Sequence, residues 1–387
     1  VWLPLVLTLP WVGVILFLVF VARVPRELPA PTASERTPLV SVIVPARNEA
    51  LNIGTCVRSL VASDYPSFEV IVVDDGSDDG TADIVRTIER ANAREVRVIA
   101  AGELAPGWLG KPHACRTGAD EARGELLLFT DADTRHAPDL LARAVAGQEE
   151  EKADLLTVIG DQLMETAWER LVQPQIFMMM LVRFPDLDRT ARSASWRDAI
   201  ANGQYLLFRR AAYEAVGGHA AVRAEVAEDL ALAQRVKRAG LKLRIRGGRD
   251  ALATRMYRSL SELIEGWSKN LYVGGLQTLP PWLRPITAPL SLAGGIGLWV
   301  LPPIALALAV AGVGGSSLLV WSATACALSL VIWSVFIQEM DIPLGYALLY
   351  PVGAAVGAYI FARSWVRGRR VEWKGRRYTL PPEGGAT

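Results

Sequence analysis

Residues 125–134 read ELLLFTDADT, an almost wholly apolar run that stops abruptly at two carboxylates one residue apart, Asp131 and Asp133. Leu-Leu-Leu-Phe without polar alternation is the pattern of a strand buried on both faces. Aspartate suits a strand poorly and is costly to desolvate unless paired or metal-bound, so its position at the end of such a run points to a partner. The plan also occurs upstream. FEVIVVDDGSDDGT (68–81) reads as a buried strand ending at Asp74 and Asp75, then a Gly-Ser turn and a helix capped by Asp79-Gly80-Thr81. LVSVIVPARNEA (39–50) runs into a turn and a helix carrying Leu51, Ile53, Val57 and Leu60, while EVRVIA (95–100) and ADLLTVIG (153–160) add two strands. Strands alternating with amphipathic helical stretches predict an α/β fold with a parallel sheet, whose ligands lie outside the carboxyl ends of its strands. Both acidic sites fall at that edge.

The rest of the 387 residues frames this region. Residues 1–22 carry no charge and are long enough to cross roughly 30 Å of hydrocarbon. Arg23 and Arg26 follow the apolar run instead of preceding it, so the segment reads as an uncleaved anchor with its C-terminal end in the cytoplasm. Residues 23–38 form a Pro-, Ser- and Thr-rich linker, 39–279 a cytoplasmic domain, and 280–362 a membrane region with uncharged stretches at 285–312, 316–338 and 343–362. The basic tail 363–387 belongs in the cytoplasm by the positive-inside rule. Three crossings between two cytoplasmic segments conflict in parity; with Gly294-Gly295 and Pro302-Pro303 the first stretch could fold back as a re-entrant hairpin instead of crossing once, and the count stays open. The expected location is the inner cell membrane, multi-pass.

Composition excludes several classes. Forty-one Lys+Arg against 40 Asp+Glu leave a formal net charge of +1, which gives no field to attract nucleic acid. Three scattered cysteines, Cys56, Cys115 and Cys326, exclude a disulfide scaffold and a Cys-rich zinc site. No feature predicts a protein partner. His113, His136 and His219 read as solvated loop histidines rather than ligands.

Asp131 and Asp133, projecting to one side of an extended segment, suit one hard cation, Mg²⁺ or Mn²⁺, whose remaining ligands come from phosphates and water. The alternative is a turn in which either residue caps the helix beginning near Pro138. Asp74 and Asp75 suit hydrogen bonds from a base N–H or ribose hydroxyls. GWLGKPHACRTGA (107–119) presents Lys111 as a point charge for phosphate.

The order PARNEA, VVDDGSDDGT, GK, DADT resembles the inverting glycosyltransferase family 2, and later segments extend the likeness over roughly residues 39–275. ANGQYLLFRRAAYEAVGGH (201–219) is similar to that family's acceptor-side segment, and AEDLALAQRVKRAG (227–240) to its acidic-pair helix. The resemblance implies an A-type glycosyltransferase fold, Rossmann-like and flanked here by transmembrane helices. It also implies a nucleotide diphosphate sugar donor, expected to be a UDP-sugar, with Asp229 as catalytic base beside Glu228. Pro45, Arg47, Glu49, Asp74, Asp75, Lys111, Asp131, Asp133, Gly203 and Gln204 would line the donor site, with Asp131 and Asp133 holding the metal. The Q-x-x-R-W motif of processive polysaccharide synthases is absent, and YRSLSELIEGWSKN (257–270) stands in its place, offering Trp267 and Lys269 as acceptor-platform and diphosphate contacts. With the EWKGRRY tail (372–378), the segments resemble one-sugar lipid glycosyltransferases: hopanoid-associated, carotenoid and, more distantly, ceramide enzymes. The expected acceptor is a lipid hydroxyl or carboxyl. A processive synthase and a non-catalytic nucleotide-sugar-binding membrane protein are the alternatives. Arg376 or Arg377 is expected to serve topology or to fold over the diphosphate.

Overall fold

The computed structural model describes residues 2–31, 37–280, 282–368, 370–373 and 376–379. Its strands are Val40–Ala46 (β1), Phe68–Asp74 (β2), Val96–Ala100 (β3), Leu126–Phe129 (β4), Thr134–His136 (β5), Leu155–Ile159 (β6), Asp161–Gln162 (β7), Leu206–Arg209 (β8), Leu243–Gly247 (β9), Leu252–Thr254 (β10), Arg370–Trp373 (β11) and Arg376–Thr379 (β12). Seven of them form one sheet in the order β3-β2-β1-β4-β8-β6-β9.

Helical crossovers make β1, β2, β3 and β4 parallel, and β9 runs parallel to β6. The sheet is nevertheless mixed, because β8 pairs antiparallel with both β4 and β6. This corrects the expectation of a parallel sheet. The chain enters β8 from the loop 201–205, which lies at the carboxyl edge of β4, so it can only run back the other way. The reversal brings Gly203 and Gln204 to the ligand edge.

Both faces of this sheet are covered. Val42, Val44, Val70, Val72 and Leu128 pack on one face against Cys56, Val57, Leu60 and Leu140. Ile43, Ile71, Val73, Leu127 and Phe129 pack on the other against Ala114, Cys115, Leu232 and Val236. That explains why these strands lack polar alternation. Helix Gly110–Glu121 lies close on the sheet because Gly118 carries no Cβ, which would stand 2.9 Å from Val73 Cγ2.

The chain divides into two compact units, and residues 24–163, 187–256 and 369–387 form the unit that contains this sheet. Residues 164–186 and 257–279, inside the region expected to be one cytoplasmic domain, group instead with the apolar helices. In that second unit, four helices are long and apolar enough to cross a membrane: Leu3–Phe20, Arg284–Val310, Gly315–Gln338 and Leu344–Arg367. Residues 284–310 form a continuous helical run, with a π-helical turn at Ile296–Val300 preceding Pro302-Pro303. The fold-back expected there is absent, since a wide turn accommodates the prolines without breaking the helix. Trp11, Met178, Trp299, Trp333 and Phe336 share a core. Arg363 and Arg367 both pair with Glu265, Arg363 at 3.0 Å.

Candidate active site

The first two strand ends are tied to each other. Arg47, in the loop after β1, donates to the backbone carbonyls of Asp75 and Gly76 after β2. Asn48 N donates to Ser77 Oγ at 3.0 Å, Glu49 N to Thr81 Oγ1 at 2.9 Å and Ala50 N to Asp79 Oδ2 at 2.9 Å. Asn48 and Gly76 hold the positive φ values, 52° and 69°, that these turns require. Pro45 sits beyond Ile43, the last residue of β1 paired with β4, so its missing N–H costs that ladder nothing. Asp74 accepts from Ser77 N at 3.4 Å and stabilises its own turn. Asp75 is buried, and its Oδ2 receives Arg376 Nη1 at 2.6 Å.

At the end of β4 the segment Asp131–Thr134 is a turn and not the expected extended segment, closed by Thr134 Oγ1 donating to the Asp131 carbonyl at 2.7 Å. Neither aspartate caps the following helix Leu140–Glu151, whose N-cap is Asp139. Lys111 Nζ lies 2.7 Å from Asp131 Oδ1 and 2.7 Å from Glu228 Oε1. Lys111 is thus engaged by carboxylates, where the sequence suggested phosphate. Burial favours its neutral form, but Asp131 and Glu228 outweigh that and hold the ammonium well above its usual range. Glu228 is buried and stands as a counter-ion to Lys111.

Asp229 opens helix Glu228–Arg238 and is aimed by the backbone. Its Oδ2 accepts from Gly203 N at 2.9 Å and its Oδ1 from Leu230 N at 2.7 Å. A Cβ on Gly203 would stand 3.1 Å from Asp229 Oδ2 and 3.3 Å from Lys111 Nζ, so glycine is what admits this loop to the cluster. Burial, then the Glu228 charge, pushes the Asp229 carboxyl up to about 6, with Lys111 working against the rise. Asp133 is pushed up to about 8 by burial and by the charges of Asp131 and Glu49.

Asp133 Oδ1 is buried with no hydrogen-bond partner. An orphaned carboxylate oxygen, beside a second carboxylate and among like charges, fits a hard divalent cation. Among the described residues no three His, Cys, Asp or Glu side chains converge as a cage.

The remaining candidates are placed differently. Gln204 is buried and holds the loop, its Oε1 accepting from Gln162 Nε2 at 3.2 Å and Asn202 Nδ2 at 3.3 Å. Asn202, not singled out from the sequence, also donates to the Val158 carbonyl at 2.9 Å, and its position in the same ANGQ tetrapeptide was the available signal. Trp267 and Lys269 belong to the other unit, on helix Leu260–Thr278, where Trp267 is buried edge-on against Phe177 and Tyr257. His219 is buried and His136 half-buried, and each has a side-chain partner. His136 Nε2 meets Thr134 Oγ1 at 2.9 Å, His219 Nδ1 meets the Tyr213 hydroxyl at 2.9 Å, and burial pulls both rings down to about 3. Glu372 and Arg377 offer no side-chain description, and Lys374 and Gly375 lie outside the described residues.

Residues 41–217 match the family Glycosyl transferase family 2. Over 368 residues the chain is 27% identical to 4,4'-diaponeurosporenoate glycosyltransferase of Staphylococcus aureus (strain MRSA252), covering 92% of this chain and 93% of that protein. Among solved structures, the mannosyltransferase PcManGT from Pyrobaculum calidifontis, in complex with GDP-Man and Mn2+, is similar with a TM-score of 0.55 and 22% identity over 94% of each chain. That likeness is one of fold, and the mixed sheet described above is of the A-type glycosyltransferase kind. The protein is a glycosyltransferase whose residues 41–217 form a glycosyl transferase family 2 domain.

Proposed function

We propose that the protein moves one sugar from a nucleotide diphosphate sugar, a UDP-sugar in the first instance, to a lipid acceptor with inversion at the anomeric carbon. The observation that carries this reading is Asp229, a half-buried carboxylate oriented by two backbone N–H groups beside the Lys111–Asp131–Glu228 cluster at the sheet's ligand edge. With its carboxyl raised to about 6, Asp229 is largely ionised at neutral pH yet basic enough to take a proton. It removes the proton of the acceptor hydroxyl while that oxygen bonds to the anomeric carbon. The bond from that carbon to the diphosphate oxygen breaks, and the diphosphate leaves with the electron pair. An acceptor carboxylate arrives without a proton, so a base of this kind favours a hydroxyl.

Asp131 and Asp133 would hold Mg²⁺ or Mn²⁺. When bound, the ion supplies positive charge against the leaving diphosphate. Lys111 holds Asp131 and Glu228 in place. Asp75 and Arg47 define the nucleoside end.

Support for a lipid acceptor comes from the relative's named substrate, diaponeurosporenoate, together with the four apolar helices. We place the catalytic unit and the tail on one side, the cytoplasmic one. Arg376 of the tail pairs with Asp75, so the helices between them cross an even number of times. We take runs 284–310 and 315–338, joined through Gly312 and Gly314 at positive φ, as the crossing pair; 344–367 packs on helices Ala167–Arg183 and Leu260–Thr278 and also on the run 284–310.

Membranes carrying the wild-type protein should transfer label from radioactive UDP-glucose into an organic-solvent extract, and Asp229→Asn membranes should not. Label in insoluble polymer would instead support a processive synthase, and label in the extract from both would remove the base.

A further inference from the structure

Asp75 differs from the other strand-end acids in how its two oxygens are used. Its side chain is 2% exposed. Its own N–H donates to the Ala46 carbonyl at 2.8 Å, and its carbonyl accepts from Arg47, so the backbone cannot turn away. Oδ2 is taken at 2.6 Å by the Arg376 guanidinium, which comes from 301 positions along the chain on the hairpin β11–β12. Oδ1 is buried with no hydrogen-bond partner. A buried carboxylate with one oxygen paired to a guanidinium and the other bare is an incomplete arrangement, because the bare acceptor forfeits its hydration without recompense. One N–H donor supplied from outside would complete it.

We propose that Arg376 is a positioning residue of the nucleoside pocket. It holds Asp75 by Oδ2 so that Oδ1 is left as the acceptor for an N–H of the donor's base. The tail thereby completes the donor site at the base, and not at the diphosphate where its basic character suggested it would act. This rests on the reading that Asp75 serves the nucleoside.

The test is titration calorimetry on the full-length protein in detergent with Mn²⁺, using UDP, GDP and inorganic pyrophosphate on the wild type, Arg376→Gln, Arg376→Lys and Asp75→Asn. Losing one charge-assisted contact should weaken the preferred nucleotide roughly ten- to a hundredfold in Arg376→Gln. Pyrophosphate affinity should be unchanged, which also shows that the variant's site is folded. Arg376→Lys should recover part of the loss, and Asp75→Asn should reproduce it. Equal nucleotide affinity in wild type and Arg376→Gln overturns the proposal. So does a parallel loss of pyrophosphate, which would make Arg376 a diphosphate contact, or tighter nucleotide binding, which would make it a latch. A wild type that binds pyrophosphate but neither nucleotide defeats the nucleoside reading of Asp75 and the proposal with it.

Discussion

The two acid-bearing edges of the sheet are built alike and charged differently. At the end of β2, Asp74 is used by its own turn and Asp75 is met by an arginine, so the acids there are matched locally. At the end of β4, one lysine faces Asp131 and Glu228, with Asp133 and Asp229 close enough to feel the same charges. The first edge is arranged to accept hydrogen bonds. The second holds more negative charge than its cation balances, and it raises two carboxyl groups toward neutrality. Excess negative charge at the second edge is what a cation and a proton-taking step both exploit.

If the second edge is where chemistry happens, its base should dominate every other substitution. Asp229→Asn keeps the shape and one acceptor oxygen but cannot take a proton, so transfer to a hydroxyl should fall by about 10²- to 10⁴-fold. Nucleotide affinity, measured in parallel by calorimetry, should stay within a few-fold. A comparable loss of affinity would mean that Asp229 binds donor and does not act as base.

Removing the cation of that edge should cost stability before it costs chemistry. Lys111→Met leaves Asp131 and the buried Glu228 facing each other without a partner, a change of about 3 kcal/mol by analogy with other broken buried pairs. Thermal unfolding should show it, and the double variant Lys111→Met/Glu228→Gln should regain much of the loss. No recovery in the double variant would show that Lys111 stabilises the fold by some route other than this pair.

Metal dependence sharpens the contrast further. Asp133→Ala should lower nucleotide affinity in Mn²⁺ by roughly tenfold, about the worth of one charge-assisted contact, and leave little difference between Mn²⁺ and chelator. The same change at Asp74, which serves its own turn, should preserve the full Mn²⁺ response. Equal affinity of the wild type with and without Mn²⁺ would remove the metal site.

These contrasts were only partly legible in the chain. The strand-end acids stood out because an apolar run has no local use for Asp131 or Asp75, and a local signal survives in sequence. The role of Lys111 did not, since Glu228 lies far along the chain and only folding brings it to 2.7 Å. A lysine among glycines reads as a phosphate contact until its neighbours are known. β8 was missed because its apolar run, Leu206–Phe208, is too short to announce a strand, and its direction depends on which edge the loop 201–205 reaches. His136 and His219 looked exposed beside turn residues, yet Thr130 and Thr134 hold a half-buried His136, and Tyr213 holds a buried His219. Burial of that kind has no local signature. The pairing of Arg376 with Asp75 lay outside any local pattern for the same reason.

The smallest effect is the most discriminating about the acceptor. A base must be ionised to act, and Asp229 titrates at about 6 because burial and Glu228 oppose its charge. The rate with a hydroxyl acceptor should therefore be flat above that pH, about half-maximal at it, and fall about tenfold for each further unit of acid. Lys111 opposes the rise, so Lys111→Met, where it folds, should move the midpoint upward. An acceptor carboxylate needs no proton removed. With such an acceptor the limb near pH 6 disappears, Asp229→Asn retains most of its activity, and the residue's role reduces to orienting the Gly203 loop. The pH profile of the wild type thus separates the two acceptor chemistries before any product is identified, and the Lys111 variant shows whether the limb belongs to Asp229.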